Sequence, residues 1–174
     1  MEMASKEQPI EKLGPGGTFD LEDFLPYRLS LLSNTVSQGI AQIYQQDHQI
    51  SIPEWRVMAV LGRYPGLTAS QVCERTVMDK VTVSRAVKML LDKQLVQRLT
   101  HADDRRKRPL QVTHPQGHKL LEEIIPFALD YQAELLESLT PGEWQLLDGL
   151  IAKLLNASAM LNNLRNEQKK DRES

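Results

Sequence analysis

Three helix-start signatures follow one another closely in this chain, and immediately after them the hydrophobic period changes from helical to alternating. Ser51-Ile-Pro-Glu54 has the form of a capping box, in which a hydroxyl and a carboxylate satisfy orphan amides at a helix start, and it leads into Trp55 to Leu61. Tyr64-Pro65-Gly66 ends that helix. Thr68-Ala-Ser-Gln71 repeats the signature and opens a short helix through about Thr76, and Asp79 caps a third that runs from Lys80 to about Lys93. Leu95 to His101 and Leu110 to Thr113 then have the pattern of two strands, joined by the polar loop Ala102 to Arg108. Pro109 cannot donate to a ladder, so the second strand must be an edge or begin there. Helix, short helix, turn, helix and cationic hairpin, in that order, describe a winged helix-turn-helix.

The flanks are helical. Leu25, Leu29, Leu32, Val36, Ile40 and Ile43 trace one stripe, with Pro26 suited to the first turn. A long helix is expected from about Pro115 to Glu137, kinked at Pro126. A last one starts at the capping box Thr140-Pro-Gly-Glu143 and runs to about Leu164, with Leu147, Leu150, Ile151, Leu154, Leu155 and Leu161 as its stripe. The expected fold class is therefore mostly α with a small two-stranded β wing. Residues 1–20, which hold Gly14-Pro15-Gly16-Gly17, read as a flexible arm; 21–50 and 114–165 as helices flanking the winged lobe, 51–113; and 166–174 as a frayed tail. One domain of 174 residues can bury a real core, and no apolar run reaches the roughly 18 residues that cross a bilayer. The polar start MEMASKEQPIEK lacks a signal-peptide pattern, so the expected location is the cytoplasm. A single cysteine, Cys73, excludes an intrachain disulfide.

A net charge of −2 argues against indiscriminate polyanion binding. The average hides a local excess, because Lys80 to Arg108 contains nine basic residues against three acidic ones. On the helix from Lys80, Val83, Ala86, Val87, Leu90 and Leu91 share one face, while Lys80, Val81, Ser84, Arg85 and Lys88 share the other. A helix of about 10–12 Å fits the roughly 12 Å major groove, where Lys and Arg read guanine, Ser and Thr read donors or acceptors, and Val meets a thymine methyl. The candidate contacts to double-stranded DNA are Ser70, Lys80, Val81, Thr82, Ser84, Arg85 and Lys88, with Arg98, Asp104, Arg105, Arg106 and Lys107 from the hairpin. A hairpin tip beside that helix reaches the neighbouring minor groove or the backbone.

Ser51-Ile-Pro-Glu-Trp-Arg-Val57, Met78-Asp-Lys-Val-Thr-Val-Ser-Arg85, Leu95-Val-Gln-Arg98 and His101-Ala-Asp-Asp-Arg-Arg106, in this order and spacing, resemble the MarR family of transcription regulators from about Leu25 to Leu164. The family's aspartate-x-arginine wing signature maps onto Asp104 and Arg106, which implies that the carboxylate braces the wing and the arginine approaches DNA. The family's threonine-x-x-glycine is one residue longer here, Thr113 to Gly117, and Pro109 interrupts the strand before it. The resemblance further implies a homodimer on a palindromic operator, with 21–50 and 114–165 as the dimerisation helices, 51–113 as the DNA-binding lobe, and recognition helices about one DNA turn, roughly 34 Å, apart. Repression, relieved by a small aromatic carboxylate, is the mode it suggests.

Phe24 to Asn34 followed by Ser51 to Arg56 looks most like the subgroup that controls catabolism of hydroxycinnamates and related aromatic acids. Candidate ligand residues are Arg28 for a carboxylate, Ser30 and Asn34 for phenolic hydroxyls, and Trp55, Arg56 and Met58 around an apolar slot. Arg28 is equally suited to an interhelical salt bridge, and Trp55 and Met58 to plain core. His114 and His118 have a metal-ligand spacing but no third ligand, so no metal site or cofactor is assigned. Cys73 reads as a small buried hydrophobe rather than a redox sensor. Metal-responsive and redox-responsive regulators, and a winged-helix protein-interaction module that does not read DNA, are the alternative readings. An enzyme is not expected, because the chain lacks a phosphate-binding glycine loop, a Gly-x-Ser-x-Gly elbow and a His-Glu-x-x-His motif.

Overall fold

The structure, a computed structural model, describes residues 13–14, 18–99 and 108–173. It divides into two compact units after Phe127. In the first, the short strands β1 (Leu13–Gly14) and β2 (Thr18–Phe19) pair antiparallel, Leu13 opposite Phe19. This pair lies inside the stretch expected to be a flexible arm. Glycine-rich turn composition reads equally well as linker, and the additional tie is tertiary: the Phe19 ring meets Phe24 edge-on at 5.0 Å.

Helix α1 (Leu25–His48) has Pro26 in its first turn and ends at Gln49, whose backbone is left-handed. The C-terminal half of its stripe is buried with Ala41 and Tyr44, whereas Leu25, Leu29 and Leu32 remain exposed in the single chain. Helices α2 (Ile52–Arg63), α3 (Ala69–Thr76) and α4 (Lys80–Asp92) follow with the expected caps. Both capping boxes close: the Ser51 amide donates to Glu54 Oε2 at 2.9 Å, and the Thr68 amide to Gln71 Oε1 at 2.9 Å. Asp79 Oδ1 accepts from the Thr82 amide at 2.9 Å. Val57, Met58 and Leu61 of α2, Val72 of α3, and Val83, Ala86, Val87 and Leu90 of α4 form one core with Leu120, Leu121 and Ile124. Each Val or Leu buried there adds about 1.5–3 kcal/mol.

The hairpin pairs β3 (Val96–Arg98) with β4 (Leu110–Val112), Val96 opposite Val112. The second strand begins directly after Pro109, whose carbonyl accepts from the Leu99 amide at 2.8 Å. It is not an edge, because Leu67 pairs with Leu110 on its other side. The longer Thr113-to-Gly117 spacing keeps its joint: Thr113 Oγ1 donates to the Gln94 carbonyl at 2.7 Å and accepts from the Gly117 amide at 3.1 Å. Glycine is required at 117, since a Cβ there would lie 2.3 Å from the Leu95 carbonyl oxygen. Helix α5 (Gln116–Leu136) continues through Pro126.

The second unit holds the end of α5 and helix α6 (Pro141–Glu173), started by the expected Thr140–Glu143 box. This helix passes the expected end near Leu164 and includes most of the stretch read as a frayed tail. Arg165 to Lys170 contains no Gly or Pro and several good helix formers, so nothing local stops it. Leu147, Leu150, Ile151, Leu154, Leu155 and Leu161 of α6 are all exposed. Among the described residues no helix is long and apolar enough to cross a membrane.

Leu90 is fully buried where α4 meets α2, so Leu90→Ala is expected to destabilise the protein by about 2–5 kcal/mol, read from urea unfolding at fixed protein concentration. A loss under about 1 kcal/mol would contradict this packing.

Candidate nucleic-acid interface

Burial of one face of α4 presents the other to solvent. Lys80, Val81, Ser84, Arg85 and Lys88 are exposed, Val81 to 57%. Lys80, Arg85, Lys88 and Arg98 have no acidic partner within 4.0 Å among the described residues. Arg63 and Arg75, by contrast, pack on the Tyr64 ring at 5.1 and 4.0 Å. Exposed cations held on a rigid helix and not engaged in ion pairs form a surface for phosphate or base acceptors. Ser70 is exposed in the first turn of α3, and Arg98 on β3. Asp104, Arg105, Arg106 and Lys107 lie outside the described residues.

Thr82 departs from the rest of its group. Its hydroxyl donates to Asp79 Oδ2 at 2.5 Å, leaving it only acceptor capacity towards a base. Hydrogen bonds from the Thr82 hydroxyl and amide hold the Asp79 carboxyl below its usual range. Val77, which sequence reasoning passed over, sits in the turn between α3 and α4 with φ 54 and is 91% exposed. That conformation is unfavourable for a β-branched residue, and only its place before a helix cap marks it in the sequence.

A second polar group joins three helix ends. Lys93, the C-cap of α4, donates to Glu54 Oε1 at 2.6 Å and to the Gln49 carbonyl at 2.7 Å. Glu54 Oε2 meanwhile accepts from the Ser51 amide at 2.9 Å and the Ser51 hydroxyl at 2.5 Å. Burial pushes the Glu54 carboxyl up, but the hydrogen bonds from Lys93 and Ser51 together outweigh it, and the net shift is downward. In the sequence Glu54 is legible only as a cap and Lys93 only as one more cation; no local pattern links residues so far apart.

The residues proposed for a ligand separate into two groups. Arg56 donates to Ser37 Oγ at 3.0 Å, Trp55 packs on Tyr44 at 5.6 Å between ring centres, and Met58 is core with no exposed surface. Burial raises the Tyr44 hydroxyl to about 12, only partly offset by the Arg56 charge. Arg28, Ser30 and Asn34 are exposed in the first turns of α1. Arg28 and Ser37 are separated by about 13 Å along the helix axis, so the described residues of one chain do not gather all six around one cavity. The His114 and His118 rings stack at 4.3 Å, and no cluster of three metal-ligating side chains occurs among the described residues. Cys73 is half-buried against the core.

Comparison with known proteins agrees with this architecture. A model of the MarR family matches residues 48–107. The transcriptional regulator HosA of Escherichia coli O157:H7 is 27% identical over 133 residues, 72% of this chain and 98% of HosA. A MarR family transcriptional regulator from Silicibacter pomeroyi is 31% identical, with a TM-score of 0.69 over 83% of this chain and 94% of that one. BpsR of Bordetella bronchiseptica, whose DNA binding is regulated by 6-hydroxynicotinic acid, shares the fold at 22% identity, with a TM-score of 0.68 over 81% of this chain and 97% of its own.

The Glu54 geometry generates a pH dependence. A carboxyl depressed in the folded state contributes stability above its ordinary value of 4.5, and that contribution disappears as pH falls through the lower folded value. The unfolding midpoints of wild type and Glu54→Gln should therefore converge as pH is lowered below 4.5. A constant difference down to about pH 3 would contradict the assignment.

Proposed function

The chain belongs to the MarR family of DNA-binding transcriptional regulators, and from that premise we propose that it is a cytoplasmic homodimeric repressor of aromatic-acid catabolic genes, released from a palindromic operator by a small aromatic carboxylate. The observation that carries the DNA reading is the exposed face of α4, where Lys80, Arg85 and Lys88 flank Val81 and Ser84 with no carboxylate within 4.0 Å among the described residues. In this reading Lys80, Val81, Ser84 and Arg85 meet base edges, Ser70, Lys88 and Arg98 meet phosphates, and Thr82 acts as an acceptor at most. Asp104 braces the wing, and Arg105, Arg106 and Lys107 contact the minor groove or its backbone.

Dimerisation is supported by the uncovered apolar residues. Leu25, Leu29 and Leu32 on α1, and the Leu and Ile stripe on α6, are exposed in one chain, which a water-filled surface disfavours and a second copy would cover. The effector reading is supported by Arg56, a half-buried cation whose polar contact among the described residues is a neutral hydroxyl, leaving its charge available to a carboxylate. Trp55 would face the ring of such an acid, and Arg28, Ser30 and Asn34 would close over it once α1 is paired with a second copy. A hydroxylated aromatic carboxylate regulates DNA binding by BpsR, a protein of the same fold, which is the chemical precedent for this class of signal. The acid weakens operator binding to the extent that it binds the DNA-incompatible dimer better than the competent one.

Arg85→Ala is expected to weaken binding to a selected palindromic duplex by about 5- to 150-fold, or 1–3 kcal/mol, with the dimer and its unfolding midpoint unchanged, as read by fluorescence anisotropy. Calorimetry with hydroxycinnamates, hydroxybenzoates and 6-hydroxynicotinate should give heat of binding that Arg56→Met abolishes. Unchanged DNA affinity would remove Arg85 from its role, and silence of the whole panel at millimolar concentration would remove the aromatic-acid effector.

A further inference from the structure

We propose that the Lys93–Glu54 pair is the joint that sets the angle between α4 and α1, making Lys93 a positioning residue for two-site DNA binding although it does not itself touch DNA. The inference rests on the dimer and palindrome reading above and adds the device that holds the recognition helices in register. Three helix ends converge on one ammonium group: the C-terminal carbonyl of Gln49 after α1, the Glu54 carboxylate in the first turn of α2, and Lys93 at the end of α4. Gln49 leaves α1 in a left-handed conformation and presents its carbonyl at the negative end of the helix dipole, where an ammonium is favoured. The carboxylate cannot swing away, because its second oxygen is held by the Ser51 amide and hydroxyl.

The remaining contact between α1 and the lobe includes the apolar residues Ile40, Ala41 and Tyr44 and the Arg56–Ser37 hydrogen bond. Apolar packing fixes which face of α1 meets the lobe, and the charge-assisted hydrogen bond from Lys93 to Glu54, whose side chain is 6% exposed, adds a required distance and direction at the helix end. The pair is half-buried, with the Lys93 side chain 27% exposed, and ion pairs withdrawn from water add little net stability compared with apolar replacements, so the use proposed for this one is to define geometry. Beside the joint, the end of α1 borders an open groove that the His48–Glu123 contact spans at 3.8 Å.

Leverage makes the joint matter. Lys93 lies at one end of α4, and Lys80 to Arg85 lie at the other, where the reading face begins. Over a helix of about 20 Å, a 10° rotation at Lys93 displaces the far end by about 3.5 Å, and two-fold symmetry doubles the change in separation of the paired helices. That is a fifth of a DNA turn of about 34 Å, enough to lose one half-site while the other stays bound.

The test uses the full-length protein, a palindromic duplex that the wild type selects from a random DNA library, and the same duplex with one half-site scrambled. Lys93→Met combined with Glu54→Gln removes both charges without leaving either one unpaired. Half-site affinity should stay within about two-fold of wild type, while full-site affinity falls at least about ten-fold and recovers in part when the spacer is lengthened or shortened by one base pair. If the pair is only structural, full- and half-site affinities fall together with the unfolding midpoint, or neither changes, and the proposal is overturned. Should the double variant not fold, Lys93→Arg, which keeps the charge and changes its reach, must alter the ratio of full- to half-site affinity; an unchanged ratio again overturns it. A wild type that selects no palindrome defeats the functional reading and the joint with it, whereas selection by the wild type with an unaltered ratio in the variants defeats the joint alone.

Discussion

Burial of Val83, Ala86, Val87 and Leu90 against α2 is the constraint on which the rest of this molecule depends. Four apolar side chains at helical spacing leave α4 one way to lie, and that orientation turns Lys80, Val81, Ser84, Arg85 and Lys88 outward as a group. Polarity on the outer face and packing on the inner one are thus consequences of a single pattern. The caps complement it. Asp79 and Thr82 hold the start of the helix, at the end where the reading face begins, and Lys93 holds the other end.

A rigid helix reads DNA usefully only if its support is rigid too. The hairpin is bound to the lobe on both sides of β4, and Thr113 ties its exit to Gln94 and Gly117. The exposed stripes on α1 and α6 leave apolar surface for a second copy; under the proposed function, a change at the α1–α2 boundary, where Arg56 and Trp55 lie, would reach α4 through the proposed Lys93 joint. On that proposal, effector binding and DNA binding would be two demands on one set of angles, the physical condition for reciprocal coupling.

Much of this was legible in the residues themselves. Local signals located the elements, since Ser51, Thr68 and Thr140 each precede a helix with a Glu or Gln partner three residues on, Asp79 is a cap residue before Lys80, and Pro109 marked the strand start. The two faces of α4 followed from spacing alone. Long-range events were not legible. Nothing near Lys93 indicates Glu54 or Gln49, because the contact exists only once α1, α2 and α4 have packed. The Phe19–Phe24 contact behind the short N-terminal strand pair was hidden for the same reason. The persistence of α6 beyond Leu164 was missed because a polar run without an apolar stripe looks like a tail, although its Glu, Gln and Lys residues are good helix formers. Of the ligand candidates, spacing could not separate Met58, which is core, from Arg56, which is half-buried beside a neutral partner.

Hydroxyl-radical footprinting of the wild type on a selected palindromic duplex tests the central claim most directly. The account expects two protected patches on one face of the duplex, centred about 10 base pairs apart, with protected backbone sugars flanking each major-groove site. A single patch, continuous protection along the duplex, or protection independent of the palindrome would contradict a paired reading by the outer faces of two α4 helices.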